Sequence, residues 1–178
     1  MGNEQDKRKP VWWPAAASLV VLALLVCIVL VLFDLIYPVG LGPRQPIPFS
    51  HRVHVHVKQI SCVMCHTQVA DSARAGIPPL QTCLLCHERI IRTYPYIIQL
   101  REYFRQGRPV IWERVNWLPE FVYFNHSMHI RKGIDCGMCH GNVALMDRVV
   151  KAQKFEMGFC IRCHREKNAT HDCFTCHR

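Results

Sequence analysis

The 178-residue chain is short of acidic side chains, with 13 Asp and Glu against 22 Lys and Arg, a formal charge of +9. It also lacks the residue patterns of much familiar chemistry. No stretch reads as a phosphate loop and no nucleophile is paired with a catalytic base, so nucleotide-dependent and hydrolytic functions have nothing to rest on. No cysteine set has ferredoxin-like spacing, so an iron–sulfur cluster would have to sit on a partner. Charge is missing altogether from Ala15 to Phe33. No Ala-x-Ala-like cleavage site follows that run, and Val26 precedes Cys27 where a lipoprotein signal needs a small residue. Neither a removed leader nor a lipid-modified cysteine fits.

Cysteine, by contrast, is abundant. Ten of the 11 fall in five C-x-x-C-H motifs: Cys62/Cys65/His66, Cys83/Cys86/His87, Cys136/Cys139/His140, Cys160/Cys163/His164 and Cys173/Cys176/His177. This is the signature of covalently attached c-type haem. The two thiols reach two vinyl groups of one macrocycle, and the adjacent histidine lies under the iron as proximal ligand. Five motifs imply five haems c. Structural zinc also uses C-x-x-C pairs, but it gives no reason for a histidine directly after every second cysteine. Disulfides lack material, because only Cys27 falls outside the motifs. First cysteines at 62, 83, 136, 160 and 173 follow no fixed period, so the motif repeats without forming a solenoid.

The run Ala15–Phe33 is long enough to cross a bilayer and extends to Tyr37 across Asp34. It predicts an uncleaved transmembrane signal-anchor helix over residues 11–37, with Pro14 in its first turn and Trp12 and Trp13 in the interfacial belt. Lys7, Arg8 and Lys9 then put residues 1–10 in the cytoplasm. Everything beyond lies on the periplasmic or extracytoplasmic side of a bacterial cytoplasmic membrane, where c-type haem is attached and no nucleic acid is met. Residues 38–50, proline-rich from Pro43 to Pro48, read as an extended linker. Residues 51–178 form the pentahaem domain.

That domain should be multihaem cytochrome c in character: a small, haem-packed unit of short helices and irregular loops with little β-structure. Stacked macrocycles replace much of an ordinary apolar core. Apolar periodicity predicts helices over Tyr96–Gln106, stopped by Gly107, and over Val143–Phe155, while Pro109–Phe124 looks extended. Trp112 and Trp117 should cover haem edges. Much of the basicity, including Arg89, Arg92, Arg101, Arg105, Arg108 and Arg114, offsets haem propionates, roughly ten negative charges for five haems.

A second repeat bears on function. Phe49-Ser50-His51-Arg52-Val53-His54 precedes the first motif and Phe124-Asn125-His126-Ser127-Met128-His129 the third. At helical spacing, both histidines of a pair project from nearly one side and each can meet a different haem. Six histidines lie outside the motifs, at 51, 54, 56, 126, 129 and 171. Five irons need at most five distal ligands. His51, His54, His126, His129 and His171 are the candidates, with His56 in reserve; Met157 and Met146 are thioether alternatives. Iron with both axial positions filled binds no substrate, which favours electron transfer over bond-making chemistry.

The segments Trp112–Val115, Leu118–Pro119, Val122–His129, Cys136–Gly141, Met157–Arg165 and Asp172–His177 resemble the pentahaem cytochrome c subunit (ActA type) of bacterial alternative complex III. With the anchor and the first H-x-x-H unit, the resemblance covers most of the chain. It implies a relay inside a quinol-oxidising respiratory or photosynthetic complex. The implied partners are an NrfD-like integral membrane subunit that oxidises quinol, an iron–sulfur subunit, and a monohaem cytochrome c subunit or soluble carrier. The H-x-x-H units also resemble those of the small tetrahaem cytochromes c3. That likeness implies that His51 faces the first haem and His126 the third, while His54 and His129 reach neighbours. Two alternatives remain. One is a quinol dehydrogenase resembling the NapC/NrfH/TorC group, whose haem motifs start closer to the membrane. The other is a multihaem reductase, which needs an iron with one open face.

Overall fold

A computed structural model describes residues 12–36 and 42–177. The Lys7, Arg8 and Lys9 cluster, the junction at 37–41 and Arg178 lie outside the described residues. The chain divides near residue 38 into two units.

The first unit is helix α1, Trp12–Ile36. Pro14 falls in the first turn, where a missing N–H costs no intrahelical bond. From Trp13 to Phe33 every side chain is exposed, over 21 residues of mean hydropathy 3.2. At 1.5 Å per residue that stretch spans about 31 Å, the thickness of a bilayer's hydrocarbon core. Its one hydroxyl is satisfied internally, since Ser18 Oγ donates to the Pro14 carbonyl at 2.9 Å. Among the described residues, α1 is the one helix long and apolar enough to cross a membrane.

The second unit strings short helices on irregular loops: α2 (Cys62–Cys65), α3 (Leu80–His87), α4 (Pro95–Arg105), α5 (His126–Arg131), α6 (Gly137–His140), α7 (Met157–Glu166) and α8 (Cys173–Cys176). A π-helical turn runs over Arg52–Val57, and 3-10 turns over Thr67–Ala70 and Val143–Leu145. Each C-x-x-C-H motif starts a helical turn or sits in one, so its two thiols, three residues apart, emerge on one side. Among the described residues there is no sheet; Val122 and His177 form an isolated antiparallel bridge. The architecture is that of a multihaem cytochrome c domain.

Helix α4 is the most conventional element. Pro95 occupies the first turn, Ile97 and Leu100 face inward, and the helix closes on a Schellman motif. Gly107, at φ 62°, donates to the Phe104 carbonyl while Arg108 donates to Tyr103, both at 3.0 Å. Ile97 and Leu100 meet Ile47, Leu84 and Val110, with Leu80, Cys83, Tyr103 and Trp112 around them. This small cluster anchors the second motif to α4, and Trp112 belongs to it.

Two expectations need correction. The Val143–Phe155 helix is absent: a single 3-10 turn ends at Leu145 and the chain then runs irregularly. Tertiary bonds claim the groups a helix would use. Arg52 N–H donates to the Met146 carbonyl at 3.0 Å, and Asp147 takes the Ser50 hydroxyl at 2.6 Å and the Arg52 guanidinium at 2.9 Å. Three valines, β-branched and costly in a helix, offer little resistance. The proline-rich stretch 43–48 is also no free spacer. Ile47 is in the core cluster, and Gln45 exchanges two 2.9 Å hydrogen bonds with the Glu113 backbone.

Gly141 follows the third motif at φ 69°, and an added Cβ would lie 2.7 Å from the Ala152 Cβ. Replacing Gly141 with alanine should destabilise the domain by about 1–3 kcal/mol from the backbone alone, since positive φ with ψ −168° is essentially a glycine-only conformation. Denaturant unfolding of the haem-loaded protein, followed by circular dichroism, measures this; an unchanged midpoint would contradict it.

Candidate haem-binding site

A cavity of about 4530 Å3, partly open to solvent, runs through the second unit. All ten motif cysteines and all five motif histidines line it, as do His51, His54, His126, His129 and His171. His56 lies outside the lining, as does Met146, whereas Met157 reaches it. Apolar side chains dominate the cavity's lining, and such surface is more stable against apolar groups than against water. Its walls are the apolar side chains Val69, Ile77, Leu80, Val110, Trp117 and Phe155, among others. Flat apolar groups tethered at the five cysteine pairs suit such walls. Trp112 and Trp117 both line the cavity, and Lys151 Nζ sits 5.6 Å from the Trp117 ring centroid.

Histidine geometry supplies the sharper test. Two metal–nitrogen bonds of about 2.0–2.1 Å and two ring radii of about 1.1 Å put trans imidazole centroids roughly 6.2–6.4 Å apart across one ion. His54 and His87 are 6.1 Å apart, His126 and His140 6.4 Å, and His129 and His164 6.0 Å. Each pair joins an H-x-x-H histidine to a motif histidine. His51 lies within electrostatic range of His66. His177 has Phe121 beside it at 5.8 Å, and His171 Nδ1 sits 3.5 Å from the Ala169 carbonyl.

The two H-x-x-H units are built alike. Phe49 stacks on His54 at 4.3 Å and meets His51 edge-on at 4.8 Å; Phe124 repeats this with His129 at 4.5 Å and His126 at 4.8 Å. The second histidine of each unit hydrogen-bonds through Nδ1 to the carbonyl four residues back, Ser50 or Asn125, at 2.8 Å. An Nδ1–H held by a carbonyl fixes the tautomer whose Nε2 lone pair is free to bind metal. His126 uses the Ala73 carbonyl at 2.8 Å, His66 uses Gly76 at 2.7 Å, and His164 uses Thr170.

His140 is held by a side chain instead. Asn116 Nδ2 stands 3.3 Å from His140 Nδ1, while Asn116 Oδ1 is buried without a partner. Rotating the amide gives the Nδ1–H its acceptor and relieves the oxygen, so the rotated amide is the physically consistent assignment. Sequence reasoning missed Asn116 and the Ala73, Gly76 and Thr170 carbonyls. No residue pattern announces them, whereas the phenylalanine ahead of each H-x-x-H unit was a visible signal.

Burial sets the protonation. Desolvation, then His66 and His54, lowers His51 to about 4, and burial likewise lowers His140 and His87. All three are neutral bases at neutral pH, the form an iron accepts. Burial pushes the Cys65, Cys83, Cys136, Cys139 and Cys160 thiols up, away from the thiolate that nucleophilic catalysis uses.

The comparisons agree with this geometry. Residues 122–178 match the family model described as cytochrome c7 and related cytochrome c. The chain is also 30% identical over 162 residues to the multihaem cytochrome c subunit of a menaquinone reductase from Nitratidesulfovibrio vulgaris (strain Hildenborough), covering 76% of this chain and 77% of the relative. The chain belongs to the multihaem cytochrome c family. Covalently bound haem c and a part in membrane-associated electron transfer follow from that membership.

In this cytochrome the Asp147 carboxylate ties the first H-x-x-H unit to the loop after the third motif. Hydrogen bonds from Arg52 and Ser50 hold its carboxyl below the usual range. The stabilisation is therefore present above the ordinary carboxylate pKa and fades as pH falls through the depressed value. Asp147→Ala should lower the thermal midpoint modestly with no haem lost, and the difference from wild type should shrink in acid. Melting curves at pH 7 and pH 3 check both parts.

Proposed function

We propose that this cytochrome carries five haems c and serves as a membrane-anchored electron relay, the pentahaem subunit of an alternative-complex-III-type assembly. The observation that carries the reading is the trans spacing of the three histidine pairs, His54/His87, His126/His140 and His129/His164. His51 with His66 makes a fourth set, and His171 is the remaining candidate opposite His177. Haem c supplies a one-electron ferric–ferrous change at each site. His54 with His87, His126 with His140 and His129 with His164 would then each hold an iron between them, which would leave no position for substrate. Hydrogen bonds at Nδ1 keep the His54, His66, His126, His129 and His164 rings each in one orientation, so little rearranges there between redox states. The apolar cavity walls and the phenylalanines of the two units keep water from the ligand rings.

Helix α1 is read as the anchor, with the N-terminus cytoplasmic and the haem domain extracytoplasmic. The quinone site and any iron–sulfur clusters belong to partners: an NrfD-like membrane subunit and an iron–sulfur subunit on one side, a monohaem cytochrome c on the other. In that assembly electrons leave quinol and pass outward. The relative's name favours a second reading, in which the same relay feeds electrons to menaquinone.

Pull-down of the full-length chain from detergent-solubilised membranes tests the assembly. Copurification of the three partner types, with quinol-dependent reduction of the haems only when the membrane subunit is present, supports the first reading. Reduction of the isolated chain by a quinol analogue would instead make it a dehydrogenase of its own. Haem oxidation driven by added menaquinone, without reduction by quinol, would reverse the direction.

A further inference from the structure

The motifs follow their written order in space except at one step, where motif 1 and not motif 2 meets motif 3. The first H-x-x-H unit spans one helical turn and meets two motifs: the His54 ring stands 6.1 Å from that of His87, and His51 lies within electrostatic range of His66. Motifs 1 and 2 are therefore adjacent, and the Cys65 and Cys83 thiols are close enough to interact. The second unit does the same for motifs 3 and 4 through His126 and His129, and Cys139 lies beside both Cys160 and Cys163.

The join between the two halves runs through motif 1. The Cys62 and Cys136 side chains are close enough to interact, and His66 is near enough to His140 to act on its charge. Backbone bonds weld the same region: His126 N–H donates to the Ala73 carbonyl and Ser127 N–H to Ser72, both at 3.1 Å, seating α5 on the turn after motif 1. At the other end Cys160 of motif 4 neighbours Cys176 of motif 5. Tyr123 N–H donates to the Cys176 carbonyl at 2.8 Å, which brings motif 5 back to the chain entering the second H-x-x-H unit.

We propose that the chain lines up its haem attachment sites in the spatial order of motifs 2, 1, 3, 4, 5, so that Cys83/Cys86 and Cys173/Cys176 mark the two ends. The inference rests on the five-haem reading above. It places motif 1, not motif 2, at the bridge between the halves, and it makes each H-x-x-H unit the clamp of one adjacent pair. A hop along this order oxidises one ferrous haem and reduces its ferric neighbour, with no bond made or broken. Partner redox centres should then approach the motif 2 and motif 5 ends.

A structure of the haem-loaded full-length protein, with intact mass spectrometry of the same sample, tests the order. The expected result is five haems, with the motif 1 porphyrin contacting those of motifs 2 and 3, and the motif 2 and motif 5 porphyrins each contacting one other. Five haems with motif 2 against motif 3, or motif 5 away from motif 4, would overturn the order while leaving the relay reading intact. Fewer than five haems would sink both. In solution, His129→Met should raise the midpoint of the motif 4 haem. Because a reduced neighbour carries one positive charge less, the motif 3 and motif 5 haems should then titrate at lower potential in an EPR-monitored redox titration, and the motif 2 haem should not shift. A shift at motif 2 equal to that at motif 3 would contradict the order.

Discussion

Produced without haem attachment, residues 42–177 should fail to fold. Ile47, Val69, Leu84, Ile97, Leu100 and Val110 are the buried apolar residues among those described, and Leu84, Ile97, Leu100, Ile47 and Val110 make one cluster beside motif 2. The regions around motifs 1, 3, 4 and 5 have only Val69 and Ser127 buried within them. Apolar burial is the main force that offsets the conformational entropy of ordering a chain, about 1–2 kcal/mol per residue for the backbone. A cavity of about 4530 Å3 lined by aliphatic and aromatic side chains places the missing apolar contacts on the macrocycles. Attachment of haem is then folding, in the way metal binding is folding for small metal-dependent domains. Expression in a host lacking cytochrome c maturation should give a chain with no cooperative thermal transition and complete protease digestion. Melting and limited proteolysis of the loaded and unloaded forms make the comparison. A cooperative, protease-resistant unloaded domain would show that the protein core suffices.

The second large effect is at the axial ligands. His129→Ala should turn one haem high-spin, or make it newly reactive with carbon monoxide, and leave the others unchanged. His129 faces His164 at 6.0 Å, stacks on Phe124 at 4.5 Å and is oriented by the Asn125 carbonyl at 2.8 Å. Alanine removes all three at once, so no neighbouring nitrogen takes over. His126→Ala should open a different haem, because its ring faces His140. His56→Ala is the control: it lies outside the cavity lining, and every haem should stay low-spin. Resonance Raman and carbon monoxide difference spectra read the outcome. If His129→Ala leaves every haem low-spin and unreactive, that ring is not a ligand.

The five attachment motifs, the apolar helix and the two H-x-x-H units were legible because their chemistry is written in neighbouring residues. Covalent attachment fixes the C-x-x-C-H spacing, and a turn of helix fixes the distance between His126 and His129. Helix α4 was legible for the same reason, its apolar period ending at Gly107. What escaped depends on residues far apart. The valine-rich segment after Gly141 has helical periodicity, yet Asp147 and the Met146 carbonyl are taken by Ser50 and Arg52. Pro43 to Pro48 has the composition of a spacer, yet Ile47 is drawn into the only sizeable apolar cluster among the described residues. Asn116 reads as one more loop residue until His140 is placed against it.

The account stands on two imidazoles at every iron. EPR and magnetic circular dichroism of the oxidised full-length protein, with carbon monoxide added to the reduced form, test this most directly. The expected result is low-spin iron at all sites and no carbon monoxide adduct. A stoichiometric adduct, or a haem that turns over nitrite or hydroxylamine, would reveal an open iron and a catalytic centre in place of a relay.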